Sequence, residues 1–360
     1  MLIKFAVKNF RGFAERIEWD LSHPSNYSFN TYAVKDGVIK NGIIYGPNGS
    51  GKTNFSVALF DIVNHLTQKS KKPDYYQNFV YGGDSNLNVD FEYTFKFDDQ
   101  TIEYKYSKNV FGVLVKEALF VDGVSVFKRR IDTLELDEKQ FPINPDAKRN
   151  LQMNANSISI VNYLLTSYPL AKDHYLIRMR NFVDSMLWFK YMGFDSMVTI
   201  FDEYIIKNRL VKNFADFLRK ISGQKFEFVQ SRTTDKILFC KIGNGVIAFD
   251  LIASTGTQSL KLLYFWLKKM NEASFVFIDE FDAFYHFKLA FEVCKQLFNL
   301  NCQVFTSSHN TYLMTNDLLR PDCNFILQNN KIKPLHACTE KELRFGHNIE
   351  KLFRAGAFEV

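Results

Sequence analysis

The stretch Asn41-Gly42-Ile43-Ile44-Tyr45-Gly46-Pro47-Asn48-Gly49-Ser50-Gly51-Lys52-Thr53 decides the fold of this 360-residue chain. Its first five residues read as a short buried strand, and the next eight fit G-x-x-x-x-G-K-[ST]. From Asn54 to Lys69, apolar residues at Phe55, Val57, Leu59, Ile62, Val63 and Leu66 recur at helical spacing. Strand, glycine loop and helix together make a phosphate cradle. Backbone N–H groups of the loop and the positive end of the helix dipole point at the α- and β-phosphates. Lys52 is placed to reach the β/γ-phosphates, and the Thr53 hydroxyl to ligate Mg²⁺. A glycine-rich turn matches these four restricted positions by accident in roughly one chain in a hundred. The strand before and the helix after make accident a poor explanation. The expectation is a nucleoside triphosphate, ATP with Mg²⁺, held by Gly46 to Asn54.

Length and composition allow one large or two modest domains with a well-buried core. Hydrophobic residues are 46% of the chain and aromatics 16%, which excludes a disordered protein. The 37 phenylalanines read as bulky core filler. No apolar run approaches the roughly 18–20 residues of a membrane span. Met1 to Lys8 alternates like a first strand and lacks signal-peptide architecture. The five cysteines are odd in number and form no C-x-x-C pair, which argues against a disulfide framework or zinc site and suits the cytoplasm. A net charge of +6 permits nucleic-acid contact without demanding it.

Along the chain, residues 2–8 and 15–21 read as strands joined by a turn at Asn9 to Phe13. Residues 89–97 with 101–106, and 112–120 with 124–127, read as hairpins, giving a β-rich lobe after the phosphate helix. From Asp146 to Gly223 the pattern is helical. Phe201, Tyr204, Ile205, Val211, Phe214, Leu218 and Ile221 predict an amphipathic helix with a basic outer face. This segment is too short and its heptads too poor for a long coiled coil. The expected organisation is 1–145 for the first part of the phosphate-binding head with the β lobe, 146–225 for an inserted helical arm, and 226–360 for the rest of the head.

Three further motifs follow in order. Ser254-Thr255-Gly256-Thr257-Gln258-Ser259 precedes an apolar helix, and small residues there make a second anion site or a plain helix cap. Phe275-Val276-Phe277-Ile278 is an apolar strand ending in Asp279-Glu280. Asp279 is suited to the Mg²⁺ shell and Glu280 to orienting or deprotonating water. A strand running into an acidic turn is the simpler alternative. Cys302 to Thr306 is another apolar strand, leading to Ser307-Ser308-His309-Asn310. There His309 stands where a γ-phosphate sensor belongs in an open α/β sheet.

Taken in series, these motifs resemble the ABC-type ATPase heads of the SMC/RecF/OLD group. Within it they are most similar to the abortive-infection AAA-type ATPases of bacterial phage defence. The resemblance is carried by Phe5-x-Val7-x-Asn9-Phe10-Arg11-Gly12-Phe13 and Gly46 to Asn54. Also matching are Ser254 to Thr257, Asp279 to His286, Ser308-His309-Asn310, and the closing Asn348 to Phe353 with Gly356-Ala357-Phe358. It implies an α/β, ABC-ATPase-like P-loop head with a β-rich lobe and an inserted helical arm. It also implies that Lys52, Thr53, Asp279, Glu280 and His309 serve one nucleotide, while Ser254, Gly256 and Thr257 meet the γ-phosphate held by a second copy of the chain. Asp282 would lie in the D-loop, where the two copies meet, and Asn9, Phe10, Arg11 and Gly12 near the base or ribose. Two departures stand out. Phe284-Tyr285-His286 replaces the usual Ser-Leu-His, and the Q-loop glutamine is unassigned, with Gln77 and Gln152 as candidates.

The leading expectation is therefore a cytoplasmic Mg²⁺-dependent ATPase. It forms a head-to-tail homodimer around two ATP molecules and acts as a phage-defence switch with a separately encoded nuclease or toxin as effector. A second reading is a DNA-repair or chromosome-maintenance ATPase gripping duplex DNA. It rests on Lys207, Arg209, Lys212, Arg219, Lys220 and Lys225, with Lys128-Arg129-Arg130; a solvated helix face explains such a run equally well. A transporter subunit ranks last, because Gly51 and Ser254 are too far apart in sequence and no membrane-coupling surface is evident.

Overall fold

A computed structural model describes residues 1–67, 69, 73–130, 132–153, 158–190, 198–229 and 236–359. Parts of the expected arm, at 154–157 and 191–197, lie outside the described residues.

Hydrophobicity on both faces dictates the central layer. Asn41–Tyr45, Phe275–Asp279 and Gln303–Ser308 are buried along their whole length. Such strands need cover on two sides, the usual condition of a parallel sheet. They form a six-stranded sheet in the order Met186–Lys190, Phe275–Asp279, Gln303–Ser308, Asn41–Tyr45, Asn324–Gln328, Lys331–Pro334. The first five strands run parallel and the last is antiparallel. The phosphate-loop strand thus sits inside the sheet, between two strands of the last fifth of the chain.

A seven-stranded antiparallel sheet forms the lobe. Its order is Thr133–Leu136, Val124–Arg130, Leu114–Val121, Gln100–Lys108, Val89–Phe97, Leu2–Lys8, Ile17–Asp20. Val89–Phe97 alternates buried and half-buried residues, the period of a sheet with one face on the core. The turns between strands use residues at positive φ, Asp98 at 54° and Asp122 at 49° followed by Gly123 at 78°. A third, small sheet joins Phe228–Val229, Phe239–Ile242 and Gly245–Ala248.

Aromatic packing and one glutamine lock the two large sheets together. Trp19, on the edge of the lobe, meets Phe305 at 4.6 Å, Phe325 at 5.5 Å and Phe55 at 5.6 Å between ring centroids. Burying each such ring contributes on the order of 1.5–3 kcal/mol. Gln303 accepts from Leu2 N–H at 2.7 Å and donates to Leu2 O at 2.9 Å and Ile39 O at 3.2 Å. A buried amide that satisfies both of its ends fixes the relative position of the elements it joins.

The helical segment departs from expectation in two places. Met186–Lys190, in the middle of residues 146–225, is a strand of the central sheet paired with Phe275–Asp279. Its bulky residues suit either state locally, and pairing with a buried strand decides. The single amphipathic helix is in fact two, Val198–Lys207 and Val211–Ser222. The first ends in a Schellman arrangement. Leu210 N–H bonds Ile205 O at 2.8 Å and Arg209 N–H bonds Ile206 O at 3.0 Å, with Arg209 at φ 56°. No glycine marks that stop. The helix after the phosphate loop is likewise divided, into Lys52–Leu59 and Asp61–Leu66. At the break Asp61 turns into the lobe, where Tyr75 and Tyr106 hydroxyls donate at 2.8 Å and Lys108 Nζ at 2.6 Å.

Candidate functional site

The loop Gly46 to Gly51 is shaped by close approach. A Cβ on Gly46 would lie 2.4 Å from Leu327 O, and one on Gly51 would lie 2.8 Å from Phe13 Cζ. Gly51 is also at φ 96° and Gly49 at φ 78°, conformations L side chains resist. Pro47, Asn48 and Gly49 form the exposed crest of the loop. Lys52 folds back over it, donating to Gly46 O at 2.8 Å and Pro47 O at 3.1 Å. Burial holds its ammonium below the usual lysine range, against the pull of Asp279 and Glu280. Ser50 Oγ is buried within the loop without a partner. A buried hydroxyl in that position needs an acceptor, and a phosphate oxygen is one. The loop therefore fits a triphosphate.

The carboxylates meet the loop from the neighbouring strand but one. Thr53 Oγ1 donates to Asp279 Oδ2 at 2.6 Å. Two protein oxygens side by side suit Mg²⁺, which takes its remaining ligands from phosphates and water. Among the described residues no cluster of three or more His, Cys, Asp or Glu could hold a metal by itself. Glu280 follows at φ 51°, a backbone conformation uncommon for glutamate that ends the strand abruptly. Sequence reading passed over Ser307, whose hydroxyl bonds both members of this acidic pair. Its signal was positional: it directly precedes Ser308-His309, just after the predicted apolar strand Cys302 to Thr306.

His309 stands beside the lysine, with Nδ1 3.5 Å from Lys52 Nζ. Ser308 Oγ donates to Asp282 Oδ2 at 2.7 Å and accepts from Asn310 N–H at 2.8 Å. Burial pushes the Asp282 carboxyl up, and the Ser308 hydrogen bond opposes that. Thus Asp279 and His309, distant in sequence, are brought to the adjacent Lys52 and Thr53 at the phosphate loop.

The turn after the first strand also reaches the loop helix. Asn9 and Arg11 have φ of 58° and 47°. Arg11 Nη1 donates to Asn54 Oδ1 at 3.3 Å, while its buried Nε has no partner. Asn9 Nδ2 instead donates to Asn88 O at 3.0 Å. Phe10 corrects the expectation of a nucleotide contact. Its side chain is fully buried against Phe79 and Phe91, so it packs the turn and offers nothing to a ligand.

Ser254, Gly256 and Thr257 are assembled elsewhere on the chain. Ser254 caps the helix Thr255–Lys269, its Oγ accepting from Thr257 N–H at 3.3 Å. Thr257 Oγ1 donates to Gln224 Oε1 at 2.9 Å. A Cβ on Gly256 would lie 3.2 Å from Phe284 O, so this helix start packs on the segment after the acidic pair. These hydrogen bonds run to Gln224 and within the cap, and none reaches the chain's own phosphate loop. Ser254 remains exposed. Of the Q-loop candidates, Gln152 rides on Pro145–Met153, which packs on the outermost strand of the lobe. Gln77 lies two residues before Phe79, whose carbonyl accepts from Arg11 N–H at 3.1 Å.

Known proteins resemble this chain to differing degrees. A search of curated proteins returned no match. Among solved structures, an SMC head bound to the C-terminal winged-helix domain of ScpA is similar at TM-score 0.49 and 14% identity, covering 92% of this chain and 96% of that one. The SMC head domain from Thermotoga maritima gives 0.48 and 16%, covering 92% and 97%. The recombination mediator protein RecF gives 0.40 and 14%, covering 93% and 98%. Among the described residues no helix is long and apolar enough to cross a membrane. Residues 43–315, well over half of the chain, match the family described as "AAA domain, putative AbiEii toxin, Type IV TA system". The chain belongs to that family of AAA-type P-loop ATPase domains.

Proposed function

We propose that this chain is a Mg²⁺-dependent ATPase that closes head to tail on a second copy of itself around two ATP molecules. In this reading it serves as the switch of an abortive-infection system whose effector is separately encoded. The observation that carries the ATPase reading is the 2.6 Å contact of Thr53 with Asp279 beneath a glycine loop that contains a buried, unpartnered Ser50 hydroxyl. Lys52 and the loop amides bind the triphosphate. Thr53 and Asp279 hold the metal, which when bound neutralises phosphate charge. Glu280 orients or deprotonates the attacking water, and His309 senses the γ-phosphate. Exposed Ser254, with Gly256 and Thr257, has no bond to its own loop, which supports a role toward the nucleotide of a partner. The family's AbiEii description supports the defence setting.

Coupling follows from linkage: a nucleotide that contacts both copies stabilises the dimer over the monomer. Glu280→Gln is expected to retain ATP, accumulate as a dimer in size-exclusion chromatography, and lose about 10²–10⁴-fold in hydrolysis. Lys52→Ala is expected to remain nucleotide-free and monomeric. Wild-type turnover by Glu280→Gln would remove the catalytic assignment. The duplex-DNA reading loses part of its basis. Arg129 is buried in an ion pair with Glu117, and exposed Lys207 and Arg219 are paired with Glu203 and Asp216.

A further inference from the structure

We propose that Ser307 is a positioning residue that sets the metal-binding and water-activating carboxylates as one unit; this rests on the ATPase reading above. The strands Phe275–Asp279 and Gln303–Ser308 pair in parallel up to Ile278 against Thr306. One step further brings Asp279 and Ser307 abreast. At that point Glu280 leaves the ladder at φ 51°, so its N–H loses a regular strand acceptor. Ser307 Oγ supplies one, accepting from Glu280 N–H at 2.8 Å. The same hydroxyl donates its proton to Asp279 Oδ1 at 2.5 Å. The Ser307 carbonyl meanwhile accepts from Phe281 N–H at 3.3 Å. One residue therefore bonds three in succession, 279, 280 and 281.

The hydroxyl's donor and acceptor are both committed, and the direction of each bond is fixed by its partner. Asp279, with Oδ2 held by Thr53 and Oδ1 by Ser307, cannot rotate its carboxylate without breaking a bond. Ser307 and Asp279 are fully buried, so water does not replace a lost partner easily. Glu280 gains its side-chain direction from a backbone that the Ser307 bond holds out of the strand. Groups that orient a metal ligand in this way tune affinity and rate without touching substrate. A serine that merely satisfied a strand end would bond backbone alone; this one joins a metal-binding carboxylate to the backbone of its catalytic neighbour.

The test compares Ser307→Ala, Ser307→Cys and Ser307→Thr in the full chain. Two readouts are used: steady-state ATP hydrolysis, and the Mg²⁺ concentration giving half-maximal binding of a fluorescent non-hydrolysable ATP analogue. Ser307→Ala and Ser307→Cys are expected to raise that Mg²⁺ concentration and lower kcat, each by about 10–100-fold. KM for ATP stays within about twofold, and Ser307→Thr, which keeps the hydroxyl, restores both. Melting temperature separates these effects from unfolding; if the alanine variant does not fold, the cysteine and threonine variants decide. A folded variant without the hydroxyl whose Mg²⁺ requirement matches wild type overturns the proposal. A wild-type chain that binds the analogue with Mg²⁺ yet never hydrolyses ATP overturns the ATPase reading instead, and the Mg²⁺ shift still judges Ser307.

Discussion

Gly46 and Gly51 show how single residues shape the cradle. A methyl group on Gly46 would press on the backbone carbonyl of Leu327, which cannot swing aside as a side chain could. On Gly51 it would meet the Phe13 ring and hold a left-handed conformation besides. Gly46→Ala is expected to destabilise the chain by about 1–3 kcal/mol and to abolish nucleotide-analogue binding, read from urea unfolding and fluorescence titration. Gly49→Ala tests the contrast. Nothing lies within 4 Å of its Cβ position, so only the positive φ of 78° opposes it, and a smaller loss of about 1 kcal/mol is expected. Equal losses at the two positions would mean that backbone conformation, not the Leu327 contact, governs the loop.

Among elements, the helix Thr255–Lys269 depends on a buried charge. Lys261 Nζ bonds Asp202 at 2.7 Å and Asp250 at 2.6 Å, tying this helix to Val198–Lys207 and to the turn before Ser254. Asp202 is 1% exposed and Asp250 23%, so the two partners are not equivalent. Lys261→Ala strands Asp202 in the interior and is expected to cost about 3–5 kcal/mol in urea unfolding. Asp250→Ala, leaving Lys261 still paired, is expected to cost less; the reverse order would contradict this pairing. The elements carrying the phosphate loop, the acidic pair and His309 were readable because each is a short apolar strand ended by polar residues. Parallel pairing of Ile278 with Thr306 was not readable, and without that register neither was Ser307. The strand Met186–Lys190 was missed because its partner lies about 90 residues on, beyond any local window. Phe10 was misassigned because a motif position says nothing about which way a ring faces.

At the scale of the whole molecule, the five cysteines are all buried and unpaired. Burial pushes the Cys240 thiol up to about 12 and the Cys302 thiol up to about 11. In the unfolded chain they ionise near their ordinary value of about 8.5. Above that pH the unfolded chain sheds protons that the native one keeps, so these groups make stability fall as pH rises from about 9 to 11. Urea midpoints at pH 8, 9 and 10 should decline in that order, and a thiol reagent at pH 8 should label the chain only after unfolding. Rapid labelling of the native protein would contradict the packing around these side chains. The placement of Asn41–Tyr45 also bears on how the molecule is made. Both of its neighbours in the sheet, Gln303–Ser308 and Asn324–Gln328, leave the ribosome hundreds of residues later. During synthesis the loop that grips triphosphate has no walls, and its strand presents two bare edges that invite chaperones or clumping. A product cut short before residue 303 would lack both neighbours of that strand, together with Ser307 and His309, and is expected to bind no nucleotide analogue in a fluorescence titration.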